Sequence, residues 1–124
     1  MMQQGGQLRA VTRRKMSIVG PYHISPNGDC LVFRDFDVIS DEGKSKKRIE
    51  AGESVVFVTK ATVKMIDNVA FIHVNPDLYV SGVVNVPTML TSDDGVRAIA
   101  VRFTAAKRTD VVDIKYLLDL RISE

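Results

Sequence analysis

Short apolar runs separated by turn chemistry fill the middle of this chain, and the stretch Ile49 to Val84 reads as three strands joined by tight turns. Ala51-Gly52-Glu53 is a turn signal. The run Ser54 to Thr59 that follows is β-branched and aromatic, which suits a pleated, half-buried strand. Thr62 to Ile66 alternates more weakly, with Val63 and Met65 set against Lys64. Asp67-Asn68 supplies the next turn, because both side chains can bond their own backbone. Val69 to Val74 is almost continuously apolar, as expected of a strand covered on both faces. Asn75-Pro76 stops it, since proline donates nothing to a ladder and restrains the residue before it.

The same reading extends outward. Gly20-Pro21 punctuates the start of the domain and Pro26 to Asp29 is a turn, followed by a strand over Cys30 to Phe33. A second strand runs from Arg34 to Ile39 with Phe36 and Val38 on one face, and Asp41 to Arg48 is a charged hairpin tip. After Gly82 the apolar residues end at Pro87, and Thr88 to Gly95 reads as a polar connection turning at Ser92 to Gly95. Val96 to Thr104 is a strong strand, with Val96, Ala98 and Ala100 facing one way and Ile99, Val101 and Phe103 the other. Asp110 to Leu118 has apolar residues at both helical and strand spacing; the β-branched Val111 and Val112 favour strand. Asp119 to Ile122 alternates and closes the pattern, giving an all-β chain.

The order of an apolar residue, Ala51-Gly52-Glu53, a strand ending in Thr59, a second strand, Asp67-Asn68, an apolar strand, Leu78 and then Gly82 resembles the deoxyuridine triphosphatase (dUTPase) and deoxycytidine triphosphate deaminase family. The resemblance spans roughly Pro21 to Ile122 and rests mostly on structural positions. It implies a compact β-clip fold, a dUTPase-like distorted barrel preceded here by an extended N-terminal arm, and usually a trimer. It also implies where the family's chemistry should sit, and there this chain departs from the pattern. Asn27-Gly28-Asp29-Cys30-Leu31 places its acid one residue early, Asn75-Pro76 stands where a phosphate-binding Arg-Ser is expected, and Asp93-Asp94 replace the Tyr-Arg that precedes Gly95. An aspartate where a triphosphate needs a cation is electrostatically wrong. No glycine follows Gly95, so the glycine-rich tail that closes over the nucleotide is missing.

Composition adds limits. A chain of 124 residues, 45% of them hydrophobic, makes one domain with a real core. No apolar run approaches a membrane span, and the first 20 residues lack the hydrophobic centre of a secretory signal. The single cysteine, Cys30, excludes an internal disulfide framework and reads as a small buried hydrophobe in a reducing compartment. The expected location is cytoplasmic or virion-associated. Residues 1–17 form a polar arm carrying Arg9, Arg13, Arg14 and Lys15 and no acid, ahead of a single domain over 18–124. Such a segment buries too little to order alone, so it reads as either a frayed end or a docking arm.

Other chemistry is thin. His23 and His73 have no partner at metal-ligand spacing, and His73 within an apolar strand reads as a core residue. Cys30 has no orienting signature for nucleophilic work, and Asp93-Asp94 read as an exposed turn. The basic tip at Lys44 to Arg48 and the net charge of +2 lack the surplus and the stacking aromatics of a nucleic-acid reader. No catalytic, metal or cofactor residue is assigned. The expectation is a non-catalytic structural or assembly protein: a homo-trimer, with Phe103, Leu118, Leu120 and Ile122 as interface candidates, docking through its arm on a larger protein surface such as a virion capsid. Nucleic acid is the less favoured partner. Two alternatives stay open: a non-catalytic regulator, which needs cations converging on a cleft, and a diverged nucleotide hydrolase, which needs an acid cluster.

Overall fold

The computed structural model describes residues 17–26, 30–64, 70–93 and 95–122. Arg9, Arg13, Arg14 and Lys15 of the arm lie outside these residues, as do Met65, Ile66, Val69, Asp94 and the turn residues 27–29 and 67–68. The strands in chain order are β1 (Ser17–Val19), β2 (His23–Ile24), β3 (Cys30–Phe33), β4 (Phe36–Ser40), β5 (Arg48–Ile49), β6 (Ser54–Thr59) and β7 (Thr62–Lys64). They continue as β8 (Ala70–Val74), β9 (Gly82–Val84), β10 (Thr88–Thr91), β11 (Val96–Ala105), β12 (Thr109–Asp110) and β13 (Leu118–Ile122). A short helix, α1 (Pro76–Ser81), links β8 to β9. Among the described residues the fold is all-β apart from that turn and a half and a 3-10 turn at Val111–Asp113.

Strand β11 organises the larger, seven-stranded sheet. It lies antiparallel to β6 and β7 along one side and to β9 and β10 along the other. Strands β4 and β1 flank β6 and β7 in turn. The smaller sheet runs β2-β3-β13-β8, and β5 pairs with β12 as a separate ribbon. Inward residues of both sheets, among them Leu31, Phe33, Phe57, Ile99, Phe103 and Leu120, join one buried cluster. The rings of Phe57 and Phe103 stack at 5.5 Å, and Phe36 meets Phe57 edge-on at 5.6 Å.

The buried Thr59 marks where β6 gives way to β7. Its hydroxyl donates to the Ala61 carbonyl and accepts the Ile99 N–H, so the break in the strand leaves no orphan there. Gly82 serves a close approach: a Cβ there would collide with the Thr104 carbonyl oxygen of β11.

Several expectations need correction. Asn75-Pro76 ends β8 by starting α1: the Asn75 carboxamide oxygen accepts the Asp77 N–H at 3.0 Å, and proline suits the first helical position. Thr88 to Thr91 is a strand and not a connection. Strand β8 is covered on one face only, with Phe71 and His73 exposed, so His73 is not a core residue. Cys30 is half-buried on the outward side of β3, opposite to Leu31 and Phe33. Asp110 to Leu118 is no continuous strand, because the Val111 N–H donates to the Lys47 carbonyl and the chain turns there. Phe103, Leu118 and Leu120, taken as interface candidates, are wholly buried within this one chain and have no surface to offer a neighbour. Ile122 pairs with Ala70 in the backbone ladder.

Candidate functional site

Alternation along β11 defines two sides of the large sheet. Ile99, Val101 and Phe103 point into the core, while Ala98, Ala100, Arg102 and Thr104 belong to the outer side. Register carries the outer row onto neighbouring strands: Leu90 lies beside Ala98, Thr88 beside Ala100 and Val83 beside Thr104 on one flank. On the other flank, Val58, Val56 and Ser54 lie beside Ala100, Arg102 and Thr104. The Ser54 and Thr104 hydroxyls are hydrogen-bonded to each other at 2.7 Å.

The flank formed by α1, β9 and β10 is the unusual part. Tyr79, Val80, Val83, Val86 and Leu90 stand 46 to 84% exposed within one short stretch of chain. No charged residue occurs between Asp77 and Asp93. Val86 and Leu90, with Asn85, Thr88, Val56, Ala100 and Arg102, line an open groove of about 450 Å³. Arg102 is its cation, and that guanidinium donates to the Asp41 carboxylate at 2.8 Å. The groove is therefore neutral in sum and apolar in lining, without convergent cations.

β9 and β10 act as one broken edge strand. The Asn85 N–H donates to the Arg102 carbonyl, and the Ser92 N–H donates to the Val96 carbonyl. Between them the register slips by one residue at Val86-Pro87, a bulge opposite Val101. Antiparallel geometry then fixes the parity on β10. Thr88 and Leu90 exchange backbone bonds with Ala100 and Ala98, so the N–H and C=O groups of Met89 and Thr91 point away from β11. Among the described residues, no strand pairs with that far side.

The outer side of the smaller sheet holds the other chemistry-bearing residues. His23, Val32, Asp119 and His73 form one cross-strand row, and Cys30, Arg121 and Phe71 the next. Asp119 is buried and accepts from Arg121 Nε at 3.2 Å. That bond, with a smaller contribution from Cys30, holds the Arg121 guanidinium above its ordinary range. The Tyr116 phenol is pushed up, first by burial and then by the Asp119 charge. Neither histidine stands in register with Cys30. Among the described residues, no three of His, Cys, Asp and Glu converge to hold a metal ion. Arg97 Nε is buried with no hydrogen-bond partner among them, on a half-buried side chain at the end of the core-facing row.

Asn75 stands where the dUTPase resemblance expects a phosphate-binding group, and its polar atoms serve structure. Besides capping α1 it donates through Nδ2 to the Tyr116 carbonyl at 2.8 Å, and its N–H bonds the Leu117 carbonyl. Both are internal bonds of a residue that is almost fully buried. The exposed strip over 79–90 was not among the residues singled out by sequence. Its uncharged composition was the available signal. The chain matches no protein-family model, no curated protein and no solved structure. Among the described residues, no helix is long and apolar enough to cross a membrane.

Proposed function

We propose that this chain is a non-catalytic structural or assembly protein that works as a homo-oligomer and docks on a larger protein surface. One observation carries the reading: five large apolar side chains, Tyr79, Val80, Val83, Val86 and Leu90, stand exposed along an uncharged flank beside an apolar groove. Contiguous exposed apolar surface rimmed by polar groups characterises interaction sites. The β-clip resemblance proposes three copies, and a capsid is the kind of surface such a subunit would decorate. The basic segment with Arg9, Arg13, Arg14 and Lys15 would supply charge-assisted bonds to acidic groups of that partner. A regulator that grips a nucleotide has less support, because the groove's cation, Arg102, is already engaged by Asp41.

Sedimentation of the purified chain over a wide concentration range, alone and with candidate assemblies, tests the reading. A mass above that of one chain, or co-sedimentation with an assembly, is expected. Incubation with magnesium and dUTP or dCTP should release no pyrophosphate or ammonia above a protein-free blank. A monomer at every concentration that joins no assembly overturns the assembly role, and turnover overturns the non-catalytic one.

A further inference from the structure

We propose that the free edge of β10 is a self-pairing site, where two copies of this chain join their large sheets about a two-fold axis. The proposal rests on the assembly reading above and names the partner of the same strip as a second copy. The backbone groups of Met89 and Thr91 point away from β11 with no strand beside them among the described residues. Edges of this kind are templates for another strand, and proteins blunt them with charge, proline, bulges or short length. Pro87 and the bulge blunt the start of the four-residue β10, but no charge guards Thr88 to Thr91. Here nothing between Asp77 and Asp93 carries charge.

The register follows from the parity. Leu90 bonds inward to β11, so Leu90 would face its own copy as a non-hydrogen-bonded pair, with Cα atoms about 4.5 Å apart. Met89 then exchanges both backbone bonds with Thr91 of the other copy, and Thr91 with its Met89. Pro87 and the bulge at Val86-Pro87 end the ladder on one side and the turn at Ser92–Gly95 ends it on the other, so slipped registers lose bonds. Charge is compatible with this arrangement. Antiparallel pairing places Asp93 of one copy across from Pro87 of the other, an uncharged position. On the outer side Leu90 meets its own counterpart and Thr88 lies across from Ser92 of the other copy, so the apolar groove of each copy reaches the junction. A contact that is the same on both copies closes at two, in place of the three the β-clip resemblance implies.

Sedimentation combined with amide exchange tests this, using the full chain and two variants. The expected mass at high concentration is that of two chains, with the Met89 and Thr91 amides slowed as concentration rises. Thr91→Pro removes an outward donor and leaves the β11 ladder intact, so it should weaken pairing about tenfold or more at an unchanged monomer melting temperature. Leu90→Asp should do the same through like charges on the axis, which keeps the test alive should the proline variant fail to fold. An assembly of any size in which both amides exchange freely, or a mass of three chains, overturns the two-fold pairing while leaving the assembly role standing. A monomer throughout, with no assembly joined, overturns both.

Discussion

Phe103 and Val83 sit on adjacent strands of one sheet, one residue apart in register, yet the first is sealed in the core and the second stands open to solvent. The rows they belong to are similarly apolar in sequence: Ile99, Val101 and Phe103 on one side, and Val83, Val86 and Leu90 on the other. What separates them is the second sheet. β3 and β13 bring Leu31, Phe33, Leu118 and Leu120 against the first row, while nothing in the chain's described residues is layered over the other. Hydrophobic residues thus stand in two environments in this molecule, and the local pattern does not tell them apart.

The comparison breaks most sharply at Phe103. Phe103→Asp places an unpaired charge in the core and should remove about 4 kcal/mol or more, leaving the chain unfolded by circular dichroism at every protein concentration. A smaller loss is expected from Asn75→Ala. It deletes the α1 cap and leaves the Tyr116 carbonyl short of a donor, for about 2–3 kcal/mol, read as a lower urea midpoint with an unchanged slope. Val86→Asp tests the open row and should shift monomer stability by no more than about 0.5 kcal/mol. Its effect belongs in the sedimentation profile, where assembly should weaken; a large drop in melting temperature would mean the strip is part of the core after all.

The smallest effect lies away from both rows. The Glu53 carboxyl is held below its usual range, first by the Glu50 N–H and then by Lys46. A depressed carboxyl contributes stability above its unfolded value, lost as pH falls through the folded one. Glu53→Gln should therefore narrow the difference between neutral and acidic melting temperatures, slightly, because the half-buried carboxylate is still reached and screened by solvent. A variant whose acid limb matches the parent would remove this carboxyl from the balance.

The strand pattern was legible where one face is buried and the other is not. β11 alternates in sequence as it does in space, and β3, β4 and β6 follow the same rule. Asn75-Pro76-Asp77 carried helix-start chemistry that also serves to end a strand, so local sequence supported either reading. β10 was hidden because Thr88 and Thr91 flank Met89 and Leu90, and its strand character comes from Ala98 and Ala100 across the ladder. The exposure of Phe71 was unreadable for the same reason: composition names apolar residues, and topology decides which of them are covered. The exposed strip depends on both, since its lack of charge is written in the chain and its open edge only in the sheet order.

Strand β13 has a consequence for the order of events in folding. It occupies the interior of the smaller sheet, between β3 and β8, although it is the last strand of the described chain. β3 and β8 therefore have no ladder joining them until Leu118 to Ile122 has been made and has closed a loop back to Cys30–Phe33. Pairings so distant in sequence are formed slowly, in milliseconds to seconds for β-rich domains of this kind. Until β13 is in place the facing edges of β3 and β8 stay unpaired, and removing its five residues would leave the two strands without a centre to assemble on.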